Sequence, residues 1–344
     1  MNKDIRINVP GRICLFGDHQ DYLGLPVIAC AIDKTLTLIA KENNEDHFLI
    51  SMPDIQEEHR IYLSEDLSDL RPNDLLRSAI RVLRRKGLKI NRGYHIIIQS
   101  TIPINAGISS SSALITAWVQ FLMTAFGTGM ALTKESIARI AYEAEVSELK
   151  APGGNMDQIT IAMGGIVFIE TNKEFSCHPL QGDTGVMILA NSGIPKDTSG
   201  MLMNIRTHTQ ESFNRIGEVQ PNFDPSLLSV KDIADHEKAL PELLKCYFRA
   251  AIKNHIITQQ AKAEFERDLT DPKVLGSLMN DHHQVLKDEL CITVPKIDIL
   301  IDTALNSGAF GAKIVGSGGG GCIVALTDQD NKEFLIKSLL AQGA

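Results

Sequence analysis

Four consecutive serines, Ser109-Ser110-Ser111-Ser112, follow Pro103-Ile104-Asn105-Ala106-Gly107-Ile108 and open a long apolar segment, Ala113 to Phe126. A glycine turn with hydroxyls at a helix start suits an anion. The first backbone N–H groups of a helix have no internal partner, and the dipole puts partial positive charge there. Serine hydroxyls can cap the helix, bond phosphate oxygens or reach a metal ion. A second cluster, Arg12, Asp18, His19 and Asp21, lies among the turn glycines Gly11, Gly17 and Gly24. Carboxylates that accept hydroxyl hydrogen bonds, beside a guanidinium that donates them, suit a polyhydroxylated ligand or a salt-bridged loop. Glu145 and Asp157 complete the inventory, Asp157 just past Pro152-Gly153-Gly154, where an N-cap is the simplest role. Gly316-Ser317-Gly318-Gly319-Gly320-Gly321 contains G-x-G-x-x-G, but the strand-like Cys322–Leu326 follows it. A dinucleotide turn needs a helix there, so a hairpin is expected.

The elements that position these residues are readable in outline. Strand-like runs cover 5–9, 13–16, 27–32, 35–40, 93–100, 164–169, 174–179, 186–190, 312–315 and 322–326. An apolar stripe through Leu75, Leu76, Ala79, Ile80 and Leu83 predicts a helix over 74–85, with Asn73 as N-cap and Gly87 at C′. Further helices are expected at about 111–126, 133–149 and 332–340, with a mainly helical pattern from 197 to 307. Helices and strands do not alternate regularly, so the architecture reads as α+β, cut into domains at 1–183 and 184–344. The 344 residues are 44% hydrophobic and 22% charged, an ordinary globular profile. A net charge of −8 argues against a nucleic-acid partner. No apolar run reaches ~18 residues, and the charged start does not read as a signal peptide. Six cysteines without metal or disulfide spacing fit reduced, mostly buried thiols in a cytoplasmic protein. Trp118 is expected in the core, and His282-His283 on a helix surface, since adjacent positions point about 100° apart.

Together these motifs resemble the GHMP small-molecule kinases, and within them the galactokinase-like sugar kinases. Arg12–Gly24 is similar to a sugar-binding signature and Pro103–Ala113 to the family's phosphate loop. Glu145 and Asp157 match its magnesium-ligand glutamate and catalytic aspartate. Leu278–His283, Thr293–Asp298 and Gly311–Cys322 resemble its C-terminal signatures. The resemblance implies a ribosomal S5 domain 2-like N-terminal domain and a ferredoxin-like C-terminal domain with inserted helices. It implies ATP on Asn105, Ala106, Gly107, Ile108, Ser109, Ser110, Ser111 and Ser112, and Mg²⁺ held by Ser111 (or Ser110) and Glu145. Asp157 would take the proton from the attacking hydroxyl or orient it, with Arg12 beside it, while Asp18, His19 and Asp21 hold the sugar. The implied product is a sugar 1-phosphate. Asp18 stands where the signature has Glu, one methylene longer, which shifts a hydroxyl contact by over ~1 Å. The acceptor is therefore open among galactose, another hexose, a pentose and a uronic acid. Alternatives are a non-sugar alcohol such as mevalonate, or a catalytically silent sugar and ATP sensor.

Overall fold

In the computed structural model, residues 4–127, 129–172, 176–195 and 198–344 are described. The expected strand at 174–179 therefore begins on residues outside the described ones, as does the charged start at residues 1–3. The chain divides into two compact units that interleave along the sequence. One comprises Met1–Arg12, Ala31–Ile104 and Ser109–Gly165; the other comprises Ile13–Cys30, Asn105–Ile108 and Ile166–Ala344.

In the first unit the strand order is β4-β3-β5-β2, with β2 Val27–Glu42, β3 His47–Met52, β4 Glu57–Tyr62 and β5 Tyr94–Ser100; β1, Ile5–Phe16, also pairs with β2. The β3–β5 pair is parallel, and β3–β4 and β2–β5 are antiparallel. Two expected breaks are absent. Pro10-Gly11 does not interrupt β1, and the exposed Asp33-Lys34 lies inside β2. In β3, Phe48, Ile50 and Met52 alternate inward as period-2 geometry requires. β4 buries Ile61 alone, so its sequence carries no apolar alternation to read. The helices are α1 Leu75–Arg85, α2 Ser110–Phe126, α3 Lys134–Tyr142 and α4 Met156–Met163. The cap of α1 is Asp74, one residue beyond the expected Asn73, its side chain accepting from the Arg77 N–H. Asn73 instead takes a left-handed φ of 64°. The core is aromatic. Trp118, fully buried, meets Phe48 edge-on at 5.5 Å and donates its indole N–H to the Leu76 carbonyl at 3.0 Å.

The second unit contains a three-stranded antiparallel sheet ordered β8-β10-β9, from β8 Val186–Asn191, β9 Gly311–Ile314 and β10 Cys322–Thr327. The first residues of β2 pair with β6, Ile166–Glu170, which pairs with β7, Ser176–Leu180. Helices α5 Thr198–Val219, α6 Ile233–His236, α7 Glu242–Phe265, α8 Pro272–Asp288, α9 Pro295–Asn306 and α10 Lys332–Ala341 complete it. Ile188, Leu286, Leu300, Ile314, Ile323 and Leu335 form part of one core, each fully buried residue of this kind contributing about 1.5–3 kcal/mol.

His282 and His283 correct the sequence expectation. They are 0% and 6% exposed, because α8 packs against both α7 and β9 and so has little solvent face there. The approach to β9 is close: a Cβ on Gly311 would lie 2.0 Å from the Gly276 carbonyl oxygen. Burial lowers the imidazoles to about 3 and about 4, Lys313 adding to the effect.

Candidate functional site

Within the first unit, the head of α2 faces two carboxylates. Ser109 takes a left-handed φ of 59° and makes no side-chain cap; its hydroxyl donates instead to Asp157 Oδ2. Asn105, earlier in the same loop, also has a positive φ, 56°. Non-glycine residues held there store strain that is concentrated at ligand-binding loops. Asp157 is not the N-cap of α4, which is Asn155, but lies in its first turn, where negative charge suits the dipole. Its two oxygens accept from Arg12 Nε at 2.7 Å and Nη2 at 2.6 Å, a fork-to-fork pair with side chains 8% and 23% exposed.

Glu145 stands on a π-helical turn, Glu143–Ser147, that ends the helix expected to run to residue 149. Such turns recur at functional sites. Glu145 Oε1 accepts from Ser111 Oγ and Ser112 Oγ, both at 3.0 Å, and Oε2 accepts from Gln158 Nε2 at 2.6 Å. Ser112 Oγ also reaches Asp157 Oδ2 at 3.4 Å. Burial pushes the Glu145 carboxyl above its usual range; Gln158 and the serines oppose this and the nearby Asp157 adds to it. Two hydroxyls and a desolvated carboxylate form a hard-oxygen set. That fits Mg²⁺, which takes one or two carboxylates and fills the rest of its shell with phosphate oxygens and water. Among the described residues no group of three or more His, Cys, Asp or Glu could hold a metal ion.

Within the second unit, the turn after β1 carries Asp18, His19 and Asp21. Gly17 and His19 have φ of 94° and 64°, and Gln20, fully buried, ties the turn to α7 through the Ala251 carbonyl at 3.0 Å. His19 Nδ1 lies 2.9 Å from the Tyr22 hydroxyl, and the Arg206 guanidinium of α5 sits 5.7 Å from the centre of the Tyr22 ring. Asp21 is half-buried. Asp18 is 3% exposed, with Oδ2 2.7 Å from Lys313 Nζ and Oδ1 accepting from the Gly316 N–H at 3.2 Å. Burial alone would raise its carboxyl, but the Lys313 ammonium outweighs burial and holds it below the usual range. Lys313 was not among the residues singled out from sequence, although a lysine between Ala312 and Ile314 in a short apolar strand was a signal.

The β9–β10 connection is the expected glycine hairpin. Its Cys322 N–H donates to the Ala106 carbonyl at 3.0 Å, and a Cβ on Gly321 (φ 78°) would come within 2.7 Å of that oxygen. Glycine is needed where this hairpin meets the 105–108 loop. Ala106, Gly107 and Ile108 are buried, and Asn105 is exposed. Ser110, half-buried, begins α2. The structure thus brings Arg12, Asp157, Ser109, Ser111, Ser112 and Glu145 together in one unit, and Asp18, His19, Asp21 and Ala106 into the other, with its glycine hairpin.

Family models match three stretches: the GHMP kinases N terminal domain over 74–165, the GHMP kinases C terminal over 261–344, and the galactokinase galactose-binding signature over 2–42. The chain is 30% identical to a mevalonate kinase of Thermococcus gammatolerans, covering 98% of this chain and 93% of the relative. It is 27% identical to a galactokinase of Pasteurella multocida, covering 98% and 89%. Its fold is similar to that of Lactococcus lactis galactokinase complexed with galactose, with a TM-score of 0.88, 22% identity and coverage of 99% and 90%. Among the described residues no helix is long and apolar enough to cross a membrane.

Proposed function

The chain belongs to the GHMP kinase family, and we propose that it transfers the γ-phosphoryl group of ATP to a monosaccharide, at the anomeric hydroxyl, giving a sugar 1-phosphate. The observation that carries the choice of a sugar is the match of the galactose-binding signature to residues 2–42, the stretch that holds Arg12, Asp18, His19 and Asp21. Phosphoryl transfer asks the protein mainly for placement and charge stabilisation. The backbone of 105–108 and the first turn of α2 would cradle the phosphates, and Asp157 would accept the proton of the attacking hydroxyl. Arg12, paired with Asp157, would orient it and offset charge on the transferring group. Ser111 (Ser110 being the neighbouring candidate) and Glu145 would hold Mg²⁺; the chemistry such an ion supplies is neutralisation of phosphate charge. His19 and Asp21 would bond the sugar hydroxyls. The compartment proposed is the cytoplasm, where ATP and Mg²⁺ are abundant and free thiols persist.

One observation favours a second reading, a non-sugar alcohol such as mevalonate. The charge of Asp18 is matched by Lys313, so Asp18 adds little repulsion toward a carboxylate substrate at this turn. An ADP-release assay over a panel of hexoses, pentoses, uronic acids and mevalonate tests both. Sugar-dependent release with a product whose phosphorus signal is that of an anomeric phosphate is expected. Turnover of mevalonate alone would overturn the sugar reading.

A further inference from the structure

We propose that Lys313 is a positioning residue for the acceptor site, acting through Asp18, and that Asp18 itself does not touch the substrate. This rests on the reading of the 18–22 turn as the acceptor site. Lys313 and Asp18 are 0% and 2% exposed in their side chains. One ammonium joins two segments: it donates to Asp18 Oδ2 at 2.7 Å and to the Cys14 carbonyl at 3.0 Å. The other Asp18 oxygen takes the Gly316 N–H of the glycine hairpin. The end of β1, the acceptor turn and the hairpin are therefore fastened at one point. The same hairpin holds Ala106 through Cys322.

A buried ion pair is a poor source of stability compared with apolar groups of the same size, because desolvation offsets the attraction. What this pair does supply is geometry. Asp18 precedes His19, whose left-handed φ of 64° needs outside support, and lies three residues before Asp21. Both Asp18 oxygens are engaged and the side chain is sealed from solvent, so its contribution to the turn is support of the backbone.

A double-mutant cycle separates positioning from direct contact. Asp18→Leu, Lys313→Met and the double variant are measured for KM of the best acceptor in the panel, KM for ATP, kcat and thermal midpoint. The expected result is an acceptor KM raised roughly tenfold or more in each single variant, no further rise in the double, and an ATP KM within about twofold of wild type, since residues acting as one unit are non-additive. The double variant, which leaves no unpaired buried charge, keeps the test readable if a single variant fails to fold. A folded double variant with an unchanged acceptor KM overturns the proposal. So does an additive cycle in which Asp18→Leu alone carries the effect. A wild-type enzyme silent on the whole panel overturns the kinase reading, and this one with it; turnover with an unmoved acceptor KM overturns this one alone.

Discussion

Replacing Asp157 by Asn changes one atom and separates two consequences. In the native pair, Arg12 Nε and Nη2 each meet a carboxylate oxygen, at 2.7 and 2.6 Å. In the amide, one of those positions becomes an NH₂ group facing a guanidinium N–H. The Arg12 side chain is only 8% exposed, so a donor left without an acceptor there costs about 1–3 kcal/mol. The 23% exposure of the partner lets water recover part of this, which places the expected stability loss at the lower end. The kinetic consequence is larger and independent. Loss of a general base lowers turnover by at least ~100-fold, about 2.7 kcal/mol of transition-state stabilisation. The assay is coupled ADP release at saturating ATP and acceptor, with calorimetry for ATP and a thermal melt on the same preparation. ATP affinity is expected to change less than about threefold, because the 105–108 backbone proposed to cradle the phosphates lies on another segment. A folded Asp157→Asn enzyme that keeps more than about a tenth of wild-type kcat would refute the assignment of proton transfer to this residue.

Glu145→Gln should raise the thermal midpoint of the ligand-free protein at pH 8. The folded carboxyl titrates above its unfolded value, so its stabilising protonated form is lost as pH rises. The same variant should lose the thermal shift produced by Mg²⁺ with ATP and fall roughly 10–100-fold in activity; an intact shift contradicts the ligand assignment. The two histidines of α8 act in the opposite sense. Their folded pKa values of about 3 and about 4 lie below the unfolded 6.5, so the stability they contribute is present above about pH 6.5 and lost as pH falls toward 4. Melting midpoints should decline between pH 7 and 5, less steeply in His283→Asn, and an identical slope in both proteins would count against it. Gly321→Ala forces a Cβ toward the Ala106 oxygen from a left-handed φ, at about 1–3 kcal/mol, and should raise the KM for ATP; unchanged ATP kinetics would show that the hairpin does not govern the loop.

The residues proposed to carry chemistry were legible because their types and order would be set by ligand chemistry, whatever the packing around them. Arg12, Asp157, Ser111 and Glu145 came together as the motifs suggested. What stayed hidden depends on partners distant in the chain. β4 reads as a polar segment because its single inward residue gives no alternation. The parallel β3–β5 register has no local signal at all. The surface placement expected of His282 and His283 failed because a helix packed on two sides buries positions 100° apart. The pairing of Asp18 with Lys313 also had no local signal, because the two stand 295 residues apart.

The chain has a single tryptophan, and it lies at the centre of the first unit, edge-on to Phe48 and bonded to the Leu76 carbonyl. Its emission is therefore a private gauge of that unit: a denaturation curve followed by fluorescence reports on residues around α2, whereas circular dichroism averages over the whole chain. Coincidence of the two curves would show that both units melt as one cooperative block, and any offset between them would measure directly how independently the first unit holds itself together.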